Sequence, residues 1–139
     1  MFEKYNIEEL DNNIRNNHSY QSIQYLIDKI KQYVDISKVK QYYPKNLFVD
    51  GGTNFEYILF TEDKIIKCSF IDEQFILNST PRSEIINISL SEKECEKSTL
   101  KIEFRNNAEI ILDTKNDTNQ HHSFKFVELV SEIFKELNN

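Results

Sequence analysis

Phe55-Glu-Tyr-Ile-Leu-Phe-Thr61, Lys64-Ile-Ile-Lys-Cys-Ser-Phe70, Glu84-Ile-Ile-Asn-Ile-Ser-Leu90, Thr99-Leu-Lys-Ile-Glu-Phe-Arg105 and Ala108-Glu-Ile-Ile-Leu-Asp-Thr114 decide the fold of this chain. β-Branched and aromatic residues recur in them with period two, the pattern of strands that bury one face. In the fourth segment Leu100, Ile102 and Phe104 fall on one side, and Thr99, Lys101, Glu103 and Arg105 on the other. Ile110 and Leu112 continue the inward set, with Glu109 and Asp113 outward. Thr61-Glu-Asp-Lys64, Asp72-Glu73 and Asn106-Asn107 read as reversals. The Asn pair tolerates positive φ and predicts a tight hairpin.

Working outward, Gln74–Asn78 reads as a further short strand, Ser79–Arg82 as a break and Ser91–Ser98 as a charged loop. Leu47-Phe-Val49 completes a set of seven strands, reversed by Asp50-Gly51-Gly52-Thr53-Asn54. Residues 1–45 read as helical. Asn6 precedes a first helix carrying Leu10 and Ile14, and Ser19 can cap a second with Tyr20, Ile23, Ile27, Ile30 and Val34 at helical spacing. A third, over 38–43, would end at Pro44. The hydrophobic period changes at Pro44-Lys45-Asn46, which divides a helical segment, 1–45, from a β domain, 46–139. A last helix is expected over 121–138, with Phe126, Val130, Ile133 and Leu137 as an apolar stripe that Val127 and Phe134 widen. A stripe that broad must cover something large, and the open end of the sheets is the natural partner.

Seven short strands followed by one amphipathic helix is the element order of pleckstrin-homology-like domains. Tyr57-Ile-Leu-Phe-Thr-Glu-Asp-Lys-Ile-Ile66, Glu84-Ile-Ile-Asn-Ile-Ser89 and Thr99-Leu-Lys-Ile-Glu-Phe104 resemble the strand signals of its small bacterial members. The abundance of Asn, Ile and Lys suits an AT-rich bacterial genome. Over 46–139 the resemblance implies an α+β fold, a seven-stranded antiparallel β sandwich or barrel capped by the C-terminal helix. Residues 1–45 would be a helical extension packed on it. The resemblance implies no single activity, because such domains bind lipids, peptides and proteins. Phosphoinositide-binding members carry Lys/Arg on the first two strands and the loop between them. Here no basic residue lies between Lys45 and Lys64, so phosphoinositide binding is not expected.

A chain of 139 residues is one domain of ordinary size, long enough to bury a core. The net charge is −6, and it is uneven: residues 1–45 carry seven Lys/Arg against six Asp/Glu, and 46–139 carry ten against seventeen. An acidic β domain repels a phosphate backbone, which argues against nucleic acid as a partner. No run approaches the roughly 20 apolar residues of a membrane span, and the N-terminus has no apolar leader, so a cytoplasmic protein is expected.

Chemistry-bearing motifs are scarce. Cys68 shares a strand face with Ile66 and Phe70 and reads as a buried thiol, and Cys95 lies among acidic residues that disfavour a thiolate. His121-His122 reads as the polar start of the last helix, since neighbouring histidines cannot chelate one ion from a helix. No enzyme activity, cofactor or metal is expected. Lys29, Lys31, Lys38, Lys40 and Lys45 read as a solvated face. Six of seven tyrosines precede Pro44, and Tyr suits a contact that is part apolar and part wet. The expectation is therefore a non-catalytic protein-interaction module whose partner is another protein. Tyr20, Tyr25, Tyr33, Tyr42 and Tyr43 are its candidate partner surface. The alternatives are a protein binding a small apolar ligand or lipid between sheet and helix, and an acidic immunity or inhibitor protein that masks a basic partner.

Overall fold

The computed structural model describes residues 5–15, 20–93 and 97–139. The first helix, α1 (Ile7–Ile14), starts at Asn6, whose side chain accepts from the Glu9 amide at 2.9 Å and donates to Glu9 Oε1 at 3.0 Å. The first of these bonds satisfies a helix-end donor that would otherwise be orphaned, and the second holds the capping side chain in place. The second, α2 (Gln21–Tyr33), buries Ile23, Ile27 and Ile30 as their spacing predicts and Leu26 beside them, with Tyr20 and Val34 partly buried at its ends. Ser19, the expected cap of α2, lies outside the described residues.

The third helix expected over 38–43 is instead a strand, β1 (Val39–Lys45). Pro44 does not end a helix but sits within this strand, where an edge position leaves its missing N–H harmless. The change of period therefore falls before Val39. Leu47-Phe-Val49, expected as the first strand, belongs to the turn after β1, with Leu47 buried. The other strands are β2 (Glu56–Thr61), β3 (Lys64–Ile71), β4 (Gln74–Pro81), β5 (Ile85–Lys93), β6 (Lys97–Phe104) and β7 (Glu109–Asp113). Most of Ser91–Ser98, expected as a charged loop, instead extends β5 and β6, with Glu92 opposite Ser98 and Lys93 opposite Lys97. β4 runs through the break expected at Ser79. The last helix, α3, spans Ser123–Asn138.

The strands form two antiparallel sheets, β1-β2-β3-β4 and β5-β6-β7. They are not closed into a barrel. Where β1 nears β7, the connections are Lys45 Nζ to the Ile111 carbonyl at 2.6 Å and the Asn46 amide to the Asp117 carbonyl at 2.8 Å. A side chain and a loop do there what a ladder would do in a barrel.

Three layers result. One face of the larger sheet carries Tyr42, Tyr57, Leu59, Ile66 and Cys68 and packs under α1 and α2. The opposite face carries Tyr43, Ile58, Phe60 and Ile65. It meets Leu100, Ile102, Phe104 and Leu112 of the smaller sheet and Phe126, Val130 and Ile133 of α3. Each fully buried aliphatic side chain contributes about 1.5–3 kcal/mol of transfer free energy, so both faces stabilise the fold. Gly52 lets the loop after β1 lie against α2. Its φ is +79°, and a Cβ there would stand 2.7 Å from Ile23 Cδ1. Arg82 ties the far end together, donating to the Thr61 carbonyl at 2.9 Å, the Glu136 carbonyl at 2.9 Å and Glu136 Oε1 at 3.3 Å. It thereby satisfies a carbonyl of the last turn of α3.

Candidate functional site

The five tyrosines proposed as a surface divide. Tyr42 and Tyr43 are buried, at 7% and 0% exposure, and present no ring to a partner. They sit on opposite faces of β1, and both faces are covered. The Tyr42 ring lies 5.6 Å from that of Tyr57, and the Tyr43 ring 5.3 Å from Phe126. Burial raises the Tyr42 phenol to about 12, aided by Glu8, and pushes Tyr43 up as well. Tyr20 is half-buried at the start of α2.

Tyr25 and Tyr33 do reach the surface, at 46% and 63% exposure. Tyr25 meets Phe70 edge-on at 5.1 Å, and Tyr33 stacks on Phe75 at 6.2 Å. Phe70 and Phe75 are themselves cross-strand partners at the β3–β4 hairpin. The four rings thus form one row from α2 across the hairpin, with Lys29 Nζ 5.6 Å from the centre of the Tyr25 ring. Phe70 and Phe75 were not singled out from sequence. Their placement either side of the Asp72-Glu73 reversal was the available signal.

A second feature is an open groove of about 1020 Å³ between the first half of β1 and α3. Lys40, Gln41, Lys125, Glu128 and Glu132 line it beside Val39, Val127 and Leu129. Of the α3 stripe only Val127 reaches this groove, beside Leu129; Phe126, Val130 and Ile133 are each 0% exposed.

Two buried carboxylates hold the layers. Asp11 accepts from Lys31 Nζ at 2.6 Å, Arg15 Nη2 at 2.7 Å and Gln24 Nε2 at 3.0 Å, joining α1 to α2. Burial pushes its carboxyl up, but these donors outweigh it and bring it from 3.8 to about 2. Asp117 accepts from the Tyr43 hydroxyl at 2.7 Å and the Asp113 amide at 2.7 Å, with Lys45 Nζ 3.3 Å from its other oxygen. Here burial wins and the carboxyl is raised.

Cys68 is fully buried, as its strand position predicts, and burial raises its thiol far above the usual range. Cys95 and His18 lie outside the described residues. His122 stacks flat on Phe48 at 3.8 Å, and burial, His121 and Lys125 lower its pKa. Among the described residues no three His, Cys, Asp or Glu side chains gather closely enough to hold a metal ion. No helix among them is long and apolar enough to cross a membrane.

These features define an α+β domain of two antiparallel sheets with helices on the outer face and at one end. The chain belongs to the family described as protein of unknown function (DUF3908), which it matches over residues 3–128. No curated protein and no solved structure matches the chain.

Proposed function

We propose that this chain is a non-catalytic protein-interaction module of the cytoplasm, built on a pleckstrin-homology-like fold. The division into β1–β4 and β5–β7 with a helix following the last strand supports the fold reading. The aromatic row Tyr25–Phe70–Phe75–Tyr33 carries the functional one. Aromatic rings that reach the surface, Tyr25 and Tyr33 with their polar hydroxyls and Phe70 and Phe75 beneath them, are what protein interfaces enrich. The inert Cys68 thiol supports the absence of covalent chemistry. The charged residues Lys40, Lys125, Glu128 and Glu132 in the mixed lining of the open β1–α3 groove, and the burial of Phe126, Val130 and Ile133, weigh against an apolar ligand between sheet and helix. Phosphoinositide binding is disfavoured further, because Lys45 on β1 is engaged by Asp117 and the Ile111 carbonyl.

A photo-crosslinking residue at Tyr33, compared with one at Glu103 on the smaller sheet, tests this in the native cell. A discrete protein adduct at position 33 alone, lost when Tyr25→Ser is added, is the expected result. No adduct, or the same adducts from both positions, overturns it.

A further inference from the structure

The two sheets have four edges, and three of them carry devices that discourage pairing with another strand. β1 has an irregular register between Val39 and Gln41, the charged Lys40 and Lys45, and Pro44. β5 has a register shift between Ile85 and Asn87 and ends in Glu92-Lys93. β7 carries Glu109 and Asp113, and Lys45 occupies its Ile111 carbonyl. Charges, bulges and covered carbonyls are how sheet proteins blunt their edges.

β4 is different. Its sequence, Gln-Phe-Ile-Leu-Asn-Ser-Thr-Pro over 74–81, has no charged residue, and its register with β3 is regular throughout. The hairpin before it is a two-residue turn, with Asp72 and Glu73 at φ +52° and +64° and Ile71 opposite Gln74. That closing pair directs the amides and carbonyls of the even residues toward β3. Those of Phe75, Leu77 and Ser79 therefore point away from the sheet. Pro81 falls in the same outward set, where its missing N–H costs no ladder bond. Among the described residues no backbone hydrogen bond outside the β3 ladder satisfies this edge.

We propose that β4 pairs with β4 of a second copy of this chain, joining two four-stranded sheets into one continuous eight-stranded sheet. A two-fold axis normal to the sheet keeps each face on its own side and sets Leu77 opposite Leu77 of the second copy. Phe75 then bonds Ser79 of the second copy in both directions, and Ile76, 41% exposed, lies opposite Asn78. This register uses the outward groups of Phe75, Leu77 and Ser79 and asks nothing of Pro81. It also brings the acidic hairpin tip, Asp72-Glu73, toward the exposed Lys64 of the second copy, and symmetry repeats that match at the other end. Copies with a net charge of −6 repel one another, so an uncharged edge flanked by opposite charges is where they can meet. This edge shares Phe75 with the aromatic row, but it is argued from main-chain pairing and does not depend on the reading given to the ring.

Sedimentation of the full chain over a range of concentrations tests the proposal, with amide exchange followed in parallel. The expected result is a monomer–dimer equilibrium in which the Phe75, Leu77 and Ser79 amides slow as dimer accumulates. Ile76→Lys, which sets a charge on the edge, and Ser79→Pro, which removes an outward N–H unused in the monomer, should each weaken the dimer about tenfold or more. A monomer at every attainable concentration overturns the proposal, and so does a dimer that protects other amides. If either variant fails to fold, the exchange map of the unaltered chain decides alone.

Discussion

Asp11 and Asp117 are equally buried, each at 3% exposure, yet their carboxyls shift in opposite directions. Asp11 joins two helices and receives two cations and an amide. Asp117 joins a strand, a neighbouring strand and a loop with one lysine, one phenol and one backbone amide. Desolvation is the largest influence on both; the bonds from Lys31, Gln24 and Arg15 together outweigh it at Asp11, and those from Lys45, Asp113 and Tyr43 do not at Asp117, whose carboxyl lies deeper among protein atoms. The helix layer is therefore held by an ion cluster open to water on the Arg15 and Lys31 side. The junction of the sheets is held by a desolvated group whose partners are mostly neutral.

The comparison breaks most directly at Asp117. Asp117→Ala leaves Tyr43 and the Asp113 amide without their acceptor and Lys45 with the Ile111 carbonyl alone, and should cost about 3 kcal/mol in urea unfolding. Exchange of the amides of Asn46 and Asp113, which donate to the Asp117 carbonyl and carboxylate, should rise with it. Asp11→Ala should cost less, about 2 kcal/mol, because water can reach Arg15 and Lys31. The reverse order would mean that the ion cluster, not the junction, dominates.

Acid sharpens the contrast further. A lowered Asp11 pKa stabilises the fold above about pH 4, and that contribution is lost as pH falls toward about 2. With screening by its exposed partners it amounts to about 1 kcal/mol. Asp117 has the opposite sign, since its raised pKa favours the fold when protonated. The acid loss should thus shrink in Asp11→Asn and grow in Asp117→Asn, read as midpoint shifts across that pH range. The smallest effect belongs to the aromatic row: Tyr33→Ser should alter stability by no more than about 0.5 kcal/mol. A larger loss would make that ring part of the scaffold.

β6 was legible because it buries one face and alternates cleanly, and α3 because its apolar stripe keeps the helical period; β2 and β3, buried on both faces, were legible as apolar β-branched and aromatic runs set between turn residues. β1 was not. Tyr42, Tyr43 and Pro44 are all buried, so the strand shows no alternation, and a proline beside two tyrosines looks like the end of a helix. Leu47 misled for the complementary reason, being an apolar residue that fills the core from a turn. The tyrosine surface was half legible. Tyr25 and Tyr33 follow from the helical period, whereas the loss of Tyr42 and Tyr43 to the interior depends on which layers cover β1. Asp117 could not be found from sequence, because its partners Tyr43 and Lys45 lie more than 70 residues away.

The adjacent rings of Tyr42 and Tyr43 have a bearing on how the protein melts. One belongs to the interior beneath the helices and the other to the interior between the sheets, and a single peptide bond joins them. Neither interior can lose its tyrosine without dragging β1 out of the other. The helix layer and the sandwich should therefore come apart in a single cooperative transition, with no half-melted species between.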